Sequence, residues 1–213
     1  MPNELYKRYP VPAVDFANPH RSSLTIRKSR FESYSSRCQS GKEAREFVSL
    51  IREKNPDATH NCWAYAAGDP GSTLDIGSSD DGEPQGTAGK PILNALLHGG
   101  VGQICLVVSR WFGGVKLGTG GLSRAYGQCA LDNLQSLPRE ENIIWTNWNI
   151  VLPYNQYDRA TKILSELEIK IIKSSFGESV DLTLAVPADF IEVFRERIGS
   201  LGEGTRNLIR MDN

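Results

Sequence analysis

One stretch constrains this chain more than any other: residues 78–96, with the sequence SSDDGEPQGTAGKPILNAL. Three carboxylates fall within four positions, and glycines and prolines punctuate them. Glycine adopts backbone angles that other residues avoid, and a proline such as Pro91 suits the first turn of a helix. The spacing therefore predicts an acidic loop that enters a helix between Ala88 and Pro91. The buried face of that helix is expected to contain Ile92, Ala95 and Leu96.

A second glycine-rich block follows at residues 104–127, ICLVVSRWFGGVKLGTGGLSRAYG. Its first five residues are apolar and predict a buried strand, 104–108, with Arg110 just beyond the end. Two glycine-containing turns then flank Lys116, and the apolar spacing that follows predicts a helix from about Gly121. Because few residues separate the two blocks, we expect them to meet in the folded chain.

Basic and aromatic side chains are interleaved in and around the second block, which favours a surface that binds RNA. Lysine and arginine neutralise phosphates, and glycine allows close backbone approach. The candidate cations are Arg30, Arg110, Lys116 and Arg124. Trp111, Phe112 and Tyr126 are candidates for stacking on bases. A structural role fits them as well, with Trp111 and Phe112 ending a core strand and Tyr126 on the inner face of its helix.

The acidic loop suggests a different site, for magnesium or phosphate. Mg²⁺ prefers carboxylate and water oxygens, so Asp80 and Asp81 are candidate metal ligands, with Glu83 beside them. Free N–H groups at the helix start, with Thr87 and Lys90 nearby, would suit a phosphate. These residues make a magnesium- or phosphate-dependent enzyme, for nucleotide or phosphoryl-group chemistry or hydrolysis, the alternative hypothesis. The absence of a GxxxxGK[ST] P-loop and of a GxSxG motif counts against it. A plain turn also explains part of the pattern, since aspartate and glycine favour turns.

His60 and Cys62 lie in a segment, residues 58–66, that predicts a strand with a polar start. Residues two apart on a strand share a face, so a thiol nucleophile with a histidine base is geometrically allowed. Catalytic pairs usually come from separate elements, however, and the chain has only three histidines and no HxH or HExxH spacing. The sequence alone favours a structural, hydrogen-bonding role for His60.

Composition narrows the class of protein. The chain has 213 residues, a net charge of −1 and 23% charged residues, as in ordinary globular proteins. Because the net charge is near zero, any anion binding must come from a local patch. No apolar run approaches the roughly 18 residues of a membrane helix. The four cysteines are far apart and form no CxxC pair, so we expect reduced thiols in a cytoplasmic protein, with no cofactor other than Mg²⁺.

The remaining pattern predicts an α+β chain of two domains, 1–139 and 140–213. The first domain is expected to contain a loose lead-in at 1–11, strands at 22–26 and 31–38 around a basic turn, a helix at 41–54 and a loop at 68–77. Residues 138–142, PREEN, are polar and predict a linker. The second domain alternates strand and helix in the order βαββαβ, from about Trp148 to Met211, which is the ferredoxin-like split unit.

The two blocks together, DDGEPQGTAGKPIL and RWFGGVKLGTGGLSRAYG, resemble the signature of the IMPACT family. KSRF (28–31) and DATHNCWAY (57–65) also fit, which makes His60 a candidate site residue. The two-domain length resembles the bacterial YigZ-type members. The resemblance implies a first domain with the fold shared by the second domain of a ribosomal small-subunit protein and by GHMP kinases. It implies a second domain similar to the last domain of elongation factor G.

The resemblance also implies a role in translation or its regulation. Eukaryotic members are associated with restraint of an amino-acid-starvation kinase by competition for its activator. For this chain we expect the motif-bearing face to bind RNA, the ribosome or a translation-control protein, and we expect no membrane association.

Overall fold

Two compact units make up the part of the chain that the structure describes. The computed structural model describes residues 8–202 and 206–211. Contacts group residues 9–142 into an N-terminal unit, and they group Arg8 with the residues from Ile143 onward into a C-terminal unit. This division lies close to the boundary expected after residue 139.

The N-terminal unit is built on one antiparallel sheet of five strands, in the order β2-β3-β6-β4-β5. The strands are β2 His20–Ile26, β3 Ser29–Arg37, β4 His60–Ala66, β5 Ile76–Ser79 and β6 Ile104–Trp111. The central strand, β6, pairs with both β3 and β4, and seven of its eight residues are buried. A strand covered on both faces reads as a continuous apolar run, which is why the sequence pattern of β6 showed no alternation.

Three helices cover the two faces of this sheet: α1 Gly41–Lys54, α2 Gly89–His98 and α3 Thr119–Ser136. Because side chains alternate along a strand, Cys105 and Val107 of β6 face α1, whereas Leu106 and Val108 face α2 and α3. The apolar spacing of α1 places Phe47, Val48 and Ile51 in the first core. That of α2 and α3 places Ile92, Leu96, Leu122 and Tyr126 in the second. The predicted helices are therefore present, and each buries the face that its periodicity indicated.

The C-terminal unit has the predicted βαββαβ order. Its elements are β8 Trp145–Leu152, α4 Tyr154–Glu166, β9 Lys170–Phe176, β10 Val180–Pro187, α5 Ile191–Gly199 and β11 Arg206–Met211, with a short 3₁₀ turn before α5. The strands form one sheet in the order β11-β8-β10-β9. Side chains from β8, β10, α4 and α5 form a separate apolar core, so this unit has its own interior. Together the two units confirm the α+β class.

Three segments differ from the prediction. Residues Arg8–Pro12 form strand β1, which pairs with strand β7, Arg139–Ile143, where a lead-in and a linker were expected. Both strands are short and β7 is largely polar, and their partners are far apart in sequence, so local patterning could not show the pairing. The loop predicted at 68–77 runs directly into β5, which was not predicted. Residues 1–7 of the predicted lead-in and Thr205 of the predicted last strand lie outside the described residues.

Among the described residues, no helix combines the length and the apolar character that crossing a membrane would require.

Candidate functional site

The predicted site residues lie at one end of the five-stranded sheet. Strand register places Arg30 at the start of β3 opposite Trp111 at the end of β6, and it places His60 at the start of β4 opposite Arg110. The acidic loop, residues 80–88, follows β5 and leads into α2 at the same end. The two motif blocks therefore meet in space, as their separation along the chain suggested.

Asp80 organises the acidic loop through backbone hydrogen bonds. Its Oδ1 accepts the N–H groups of Ala88 and Gly89, each at 2.9 Å, and its Oδ2 accepts that of Gly86 at 2.8 Å. Burial alone would raise the pKa of Asp80, but the three N–H donors outweigh it and hold the pKa below the ordinary value of 3.8. Since the residue that precedes α2, Ala88, has no capping side chain of its own, Asp80 is the cap of that helix.

Asp81 fastens the loop to two neighbouring elements. Its backbone has φ of 44°, in the left-handed region, and its Oδ2 accepts the Asn61 N–H at 2.7 Å. Its Oδ1 forms an ion pair with the guanidinium of Arg52, in the last turn of α1. Its carbonyl oxygen accepts a hydrogen bond from His60 Nδ1 at 2.8 Å. Asp81 thus joins the loop to α1 and β4.

Glu83 is buried and forms an ion pair inside the unit. Its Oε1 accepts hydrogen bonds from Arg110 Nη1 at 2.5 Å and from the Tyr126 hydroxyl at 2.8 Å. Both charged side chains are almost fully buried, with 3% of Glu83 and 6% of Arg110 exposed. The remaining nitrogen contact of Arg110 is to Ser29 Oγ at 3.4 Å. Arg110, predicted as part of a basic surface, is therefore an interior residue that neutralises Glu83.

Tyr126 is also an interior residue, so its predicted alternative as a base-stacking group is not supported. Its side chain is fully buried and makes an edge contact with the ring of Phe31. Burial, and then the neighbouring Cys62 and Glu83, raise the pKa of Tyr126 far above its ordinary value. The hydroxyl consequently remains protonated and donates to the Glu83 carboxylate.

His60 and Cys62 both point towards the acidic loop, as residues on one face of a strand should. His60 Nδ1 donates to the Asp81 carbonyl, and Nε2 lies 4.0 Å from Glu83 Oε2. Cys62 is fully buried and its Sγ donates to the Asp80 carbonyl at 2.9 Å. Burial raises the pKa of the Cys62 thiol well above its ordinary value, which argues against a thiolate nucleophile at this position.

This burial predicts low thiol reactivity in the native protein. All four cysteines are free and buried, and burial also raises the pKa of Cys105 and of Cys129, the latter to about 12. We expect iodoacetamide at about pH 8 to modify the native chain at least tenfold more slowly than the unfolded chain, in which thiols titrate near 8.5. Intact-mass spectrometry against time would measure both rates. Rapid native modification at Cys62 alone would contradict this interpretation and restore the nucleophile alternative.

The predicted magnesium ligands already have protein partners. Asp80 and Asp81 use both carboxylate oxygens, and Thr87 is buried with its hydroxyl donating to the Pro84 carbonyl at 2.6 Å. Within residues 8–202 and 206–211, no group of three or more histidine, cysteine, aspartate or glutamate side chains is arranged to hold a metal ion. Magnesium at Asp80 and Asp81 stays a prediction, and it would require these hydrogen bonds to be exchanged for metal contacts.

Five exposed cations lie in the turn between β2 and β3, in the loop after β6 and in the first two turns of α2 and α3. We call this set the cationic face, and its members are Arg27, Lys28, Lys90, Lys116 and Arg124. None of them forms an ion pair or a hydrogen bond with any side chain that the structure describes. The turn between β2 and β3 packs directly against the loop after β6. Gly113 permits this contact, because a Cβ at that position would lie 2.0 Å from the Lys28 carbonyl carbon. The same glycine donates its N–H to Ser29 Oγ at 3.2 Å.

Trp111 and Phe112, the other two candidates for stacking on bases, differ in whether a ligand could reach the ring. The ring of Trp111 lies under the guanidinium of Arg30, 3.8 Å from its centroid, and Arg30 also pairs with Glu32. Phe112 is 48% exposed and is the aromatic side chain of this end that is open to a ligand. Sequence reasoning missed Arg52, because nothing in its local sequence indicates a partner in a distant loop.

Comparison with known proteins agrees with the motif assignment. The Impact N-terminal domain family matches residues 27–134, and a domain of unknown function (DUF1949) matches residues 150–205. The chain is 37% identical to the IMPACT family member YigZ of Escherichia coli over 187 residues, covering 88% of this chain and 92% of that protein. It is 33% identical to the IMPACT family member YvyE of Bacillus subtilis over 185 residues, covering 87% and 84% of the two chains.

One solved structure, described as the crystal structure of a hypothetical protein, is also similar over nearly the whole length. It covers 98% of this chain and 100% of its own, with 35% sequence identity and a TM-score of 0.67. The family match covers the acidic loop, β6 and most of α3, so the motif residues lie inside it. The chain belongs to the IMPACT family.

Proposed function

We propose that this chain is a translation-linked regulatory protein that binds structured RNA of the ribosome through the cationic face. The observation that carries the proposal is the separation of charges at this end of the sheet. Asp80, Asp81 and Glu83 are bound by internal hydrogen-bond and ion-pair partners, whereas the five cations of the face have none among the described residues. A chain with a net charge of −1 thereby presents a local positive surface.

The chemistry of this surface suits a phosphate backbone. Lysine and arginine side chains that contact phosphates release condensed counterions, so binding is strong at low salt and weakens steeply as salt increases. Gly118 and Gly120 bring exposed backbone close to Lys116, and α3 begins there without a capping side chain. Phe112 supplies an exposed ring beside the cations, on which an unpaired base can stack.

Family membership directs the proposal towards translation. The role in translation or its regulation that the motif resemblance implies needs a surface that contacts the ribosome, RNA or a translation-control protein. Among these partners, RNA is favoured because the five exposed cations have no carboxylate partner among the described residues to balance their charge. A protein partner would be expected to use apolar contacts in the centre of its interface, and the cationic face offers mainly charge.

Charge reversal tests the proposal. We expect Lys116→Glu and Arg124→Glu each to weaken binding to an RNA hairpin and to purified ribosomal subunits by about tenfold, and to reduce the salt slope by about 1 per lost phosphate contact. Both side chains are exposed and have no partner in the described part of the chain, so the fold should be unaffected. Binding is measured by fluorescence anisotropy with the hairpin and by co-sedimentation with the subunits, across a salt series.

A matched control separates local from general charge effects. Lys42→Glu makes the same change in the exposed first turn of α1, at the far end of that helix from Arg52 and the acidic loop, and should leave RNA binding within about twofold. Equal losses in all three variants would show a non-specific effect of net charge and would contradict the proposed face. Binding that does not depend on salt would contradict it as well.

A further inference from the structure

A groove runs between the outer sides of α2 and α3, next to the cationic face. Its volume is about 490 Å³. Three residues at one-turn spacing line it from each helix: Lys90, Asn94 and His98 from α2, and Ser123, Gly127 and Leu131 from α3. Because positions i, i+4 and i+8 share one face of a helix, the groove follows the two helices over more than two turns.

Gly127 leaves the floor of the groove bare without a packing reason. A Cβ at this position would meet only Pro91 Cβ, at 3.9 Å, which is ordinary van der Waals contact. Glycine in a helix interior is less favourable than alanine by about 0.8–1.0 kcal/mol. Gly89 differs, since a Cβ there would lie 2.8 Å from the backbone of Ser79. The internal structure therefore requires Gly89 but not Gly127, and the missing side chain benefits only something that lies against the helix.

The two ends of the groove have different chemistry. Leu131 at one end is 52% exposed, and Pro91 and Ala95 are the apolar residues that α2 contributes to the lining. Lys90 at the other end is exposed and unpaired among the described residues, at the start of α2 where the helix dipole is positive. No carboxylate lines the groove. An occupant that complements it would carry a negative charge at one end and an apolar side chain at the other.

We propose that this groove binds a helical segment of a partner protein, acidic at the end that meets Lys90 and apolar where it lies over Gly127 and Leu131. Amphipathic helices bind in apolar grooves through anchors at i, i+3, i+4 and i+7, and a bare glycine floor lets a helix approach closely. A nucleic-acid backbone would gain little from Leu131, Ala95 and Pro91. The groove is thus a protein-binding surface that shares Lys90 with the cationic face and otherwise uses different residues.

The test uses a panel of labelled helical peptides of stated composition. Each has glutamates in its first turn and leucines at helical spacing, with the distance between them varied, and a matched set carries lysines in place of the glutamates. We expect one or more acidic peptides to bind and to shift the backbone NMR signals of residues 86–98 and 120–131. The lysine peptides should bind at least tenfold more weakly, because they place positive charge on Lys90.

Two substitutions locate the binding without damaging the fold. Gly127→Gln fills the groove while improving helix propensity, so peptide affinity should fall at least tenfold with no loss of thermal stability. Leu131→Gln should lower the affinity similarly, whereas Val193→Gln, which removes another exposed apolar side chain from α5 in the C-terminal unit, should not. Neither groove variant should alter binding to the RNA hairpin, and Lys116→Glu should not alter peptide binding.

The proposal is overturned if no acidic peptide shifts the groove residues, or if Gly127→Gln leaves peptide binding unchanged. It is also overturned if the RNA hairpin, or self-association of the protein, shifts these residues and the peptides do not. Loss of RNA binding with retained peptide binding would contradict the proposed function alone, so the two proposals fail separately.

Discussion

Replacing Glu83 with glutamine is expected to destabilise the N-terminal unit by about 3–5 kcal/mol, because it leaves the buried Arg110 guanidinium without a counter-ion. Glutamine keeps nearly the same volume, so the loss would come from charge and hydrogen bonding and not from a cavity. The glutamine amide oxygen can still accept a hydrogen bond, but it carries no charge to balance the guanidinium. Among the described residues, the other hydrogen-bond partner of the guanidinium is the Ser29 hydroxyl at 3.4 Å, and Nε has none. Native-state hydrogen exchange of β6 amides is the suitable measurement, since the two units need not unfold together.

A double-mutant cycle with Arg110→Met distinguishes the ion pair from general damage to the core. Removing both charges should cost less than the sum of the two single changes, with a coupling of about 1–3 kcal/mol. Asp57→Asn serves as the matched control, because Asp57 is exposed and has no described partner, and it should change stability by at most about 0.5 kcal/mol. A Glu83→Gln variant as stable as this control would show that the buried pair contributes nothing.

The sequence predicted the elements of both units well wherever burial leaves a periodic pattern. α1 has Phe47, Val48 and Ile51 at helical spacing, and the structure begins and ends that helix at the predicted residues. β1, β5 and β7 were missed because their residues are polar or proline-flanked and short. Their strand conformation comes from pairing with distant neighbours, which no local window of sequence contains.

The site was predicted in its location but not in its chemistry. Residue types that are unusual together, such as Asp80, Asp81 and Glu83, mark the loop correctly as special. Whether a carboxylate faces a ligand or an internal donor depends on Arg52 in α1 and Arg110 in β6, and their approach follows from strand register. The sequence also does not show which cations are buried and which lie on the surface. Arg110 and Lys116 are six positions apart, but Arg110 is buried and Lys116 is exposed.

The acidic motif is therefore best understood as the internal support of the cationic face. Asp80 fixes the start of α2 next to Lys90, and Glu83 fixes Arg110 and the α3 residue Tyr126. The contacts to α2 and α3 each hold an element that carries an exposed cation, Lys90 and Arg124 respectively. A motif that is acidic in sequence thus positions a surface that is basic in the folded chain.

The stability that Asp80 contributes is expected to depend on the charge of its carboxylate. Asp80→Asn is expected to destabilise the N-terminal unit by about 2–3 kcal/mol at pH 7. Asparagine has one acceptor oxygen instead of two, so its NH₂ group would face at least one backbone N–H that the wild-type carboxylate accepts. It also removes a negative charge from the start of α2. The effect should exceed that of an ordinary cap because three N–H groups depend on one carboxylate.

The pH dependence identifies the cause. Since the folded state holds the pKa of Asp80 below 3.8, its stabilisation is fully present above that value and is lost as the pH falls through the lower, folded pKa. The difference in unfolding free energy between the wild type and Asp80→Asn should therefore be constant from about pH 7 to pH 5 and should shrink below about pH 4. Hydrogen exchange of α2 amides and denaturant unfolding at a series of pH values would measure it. A difference that persists unchanged into acid would show that Asp80 acts through its shape and neutral hydrogen bonds, and that the carboxylate charge does not hold the loop to the helix.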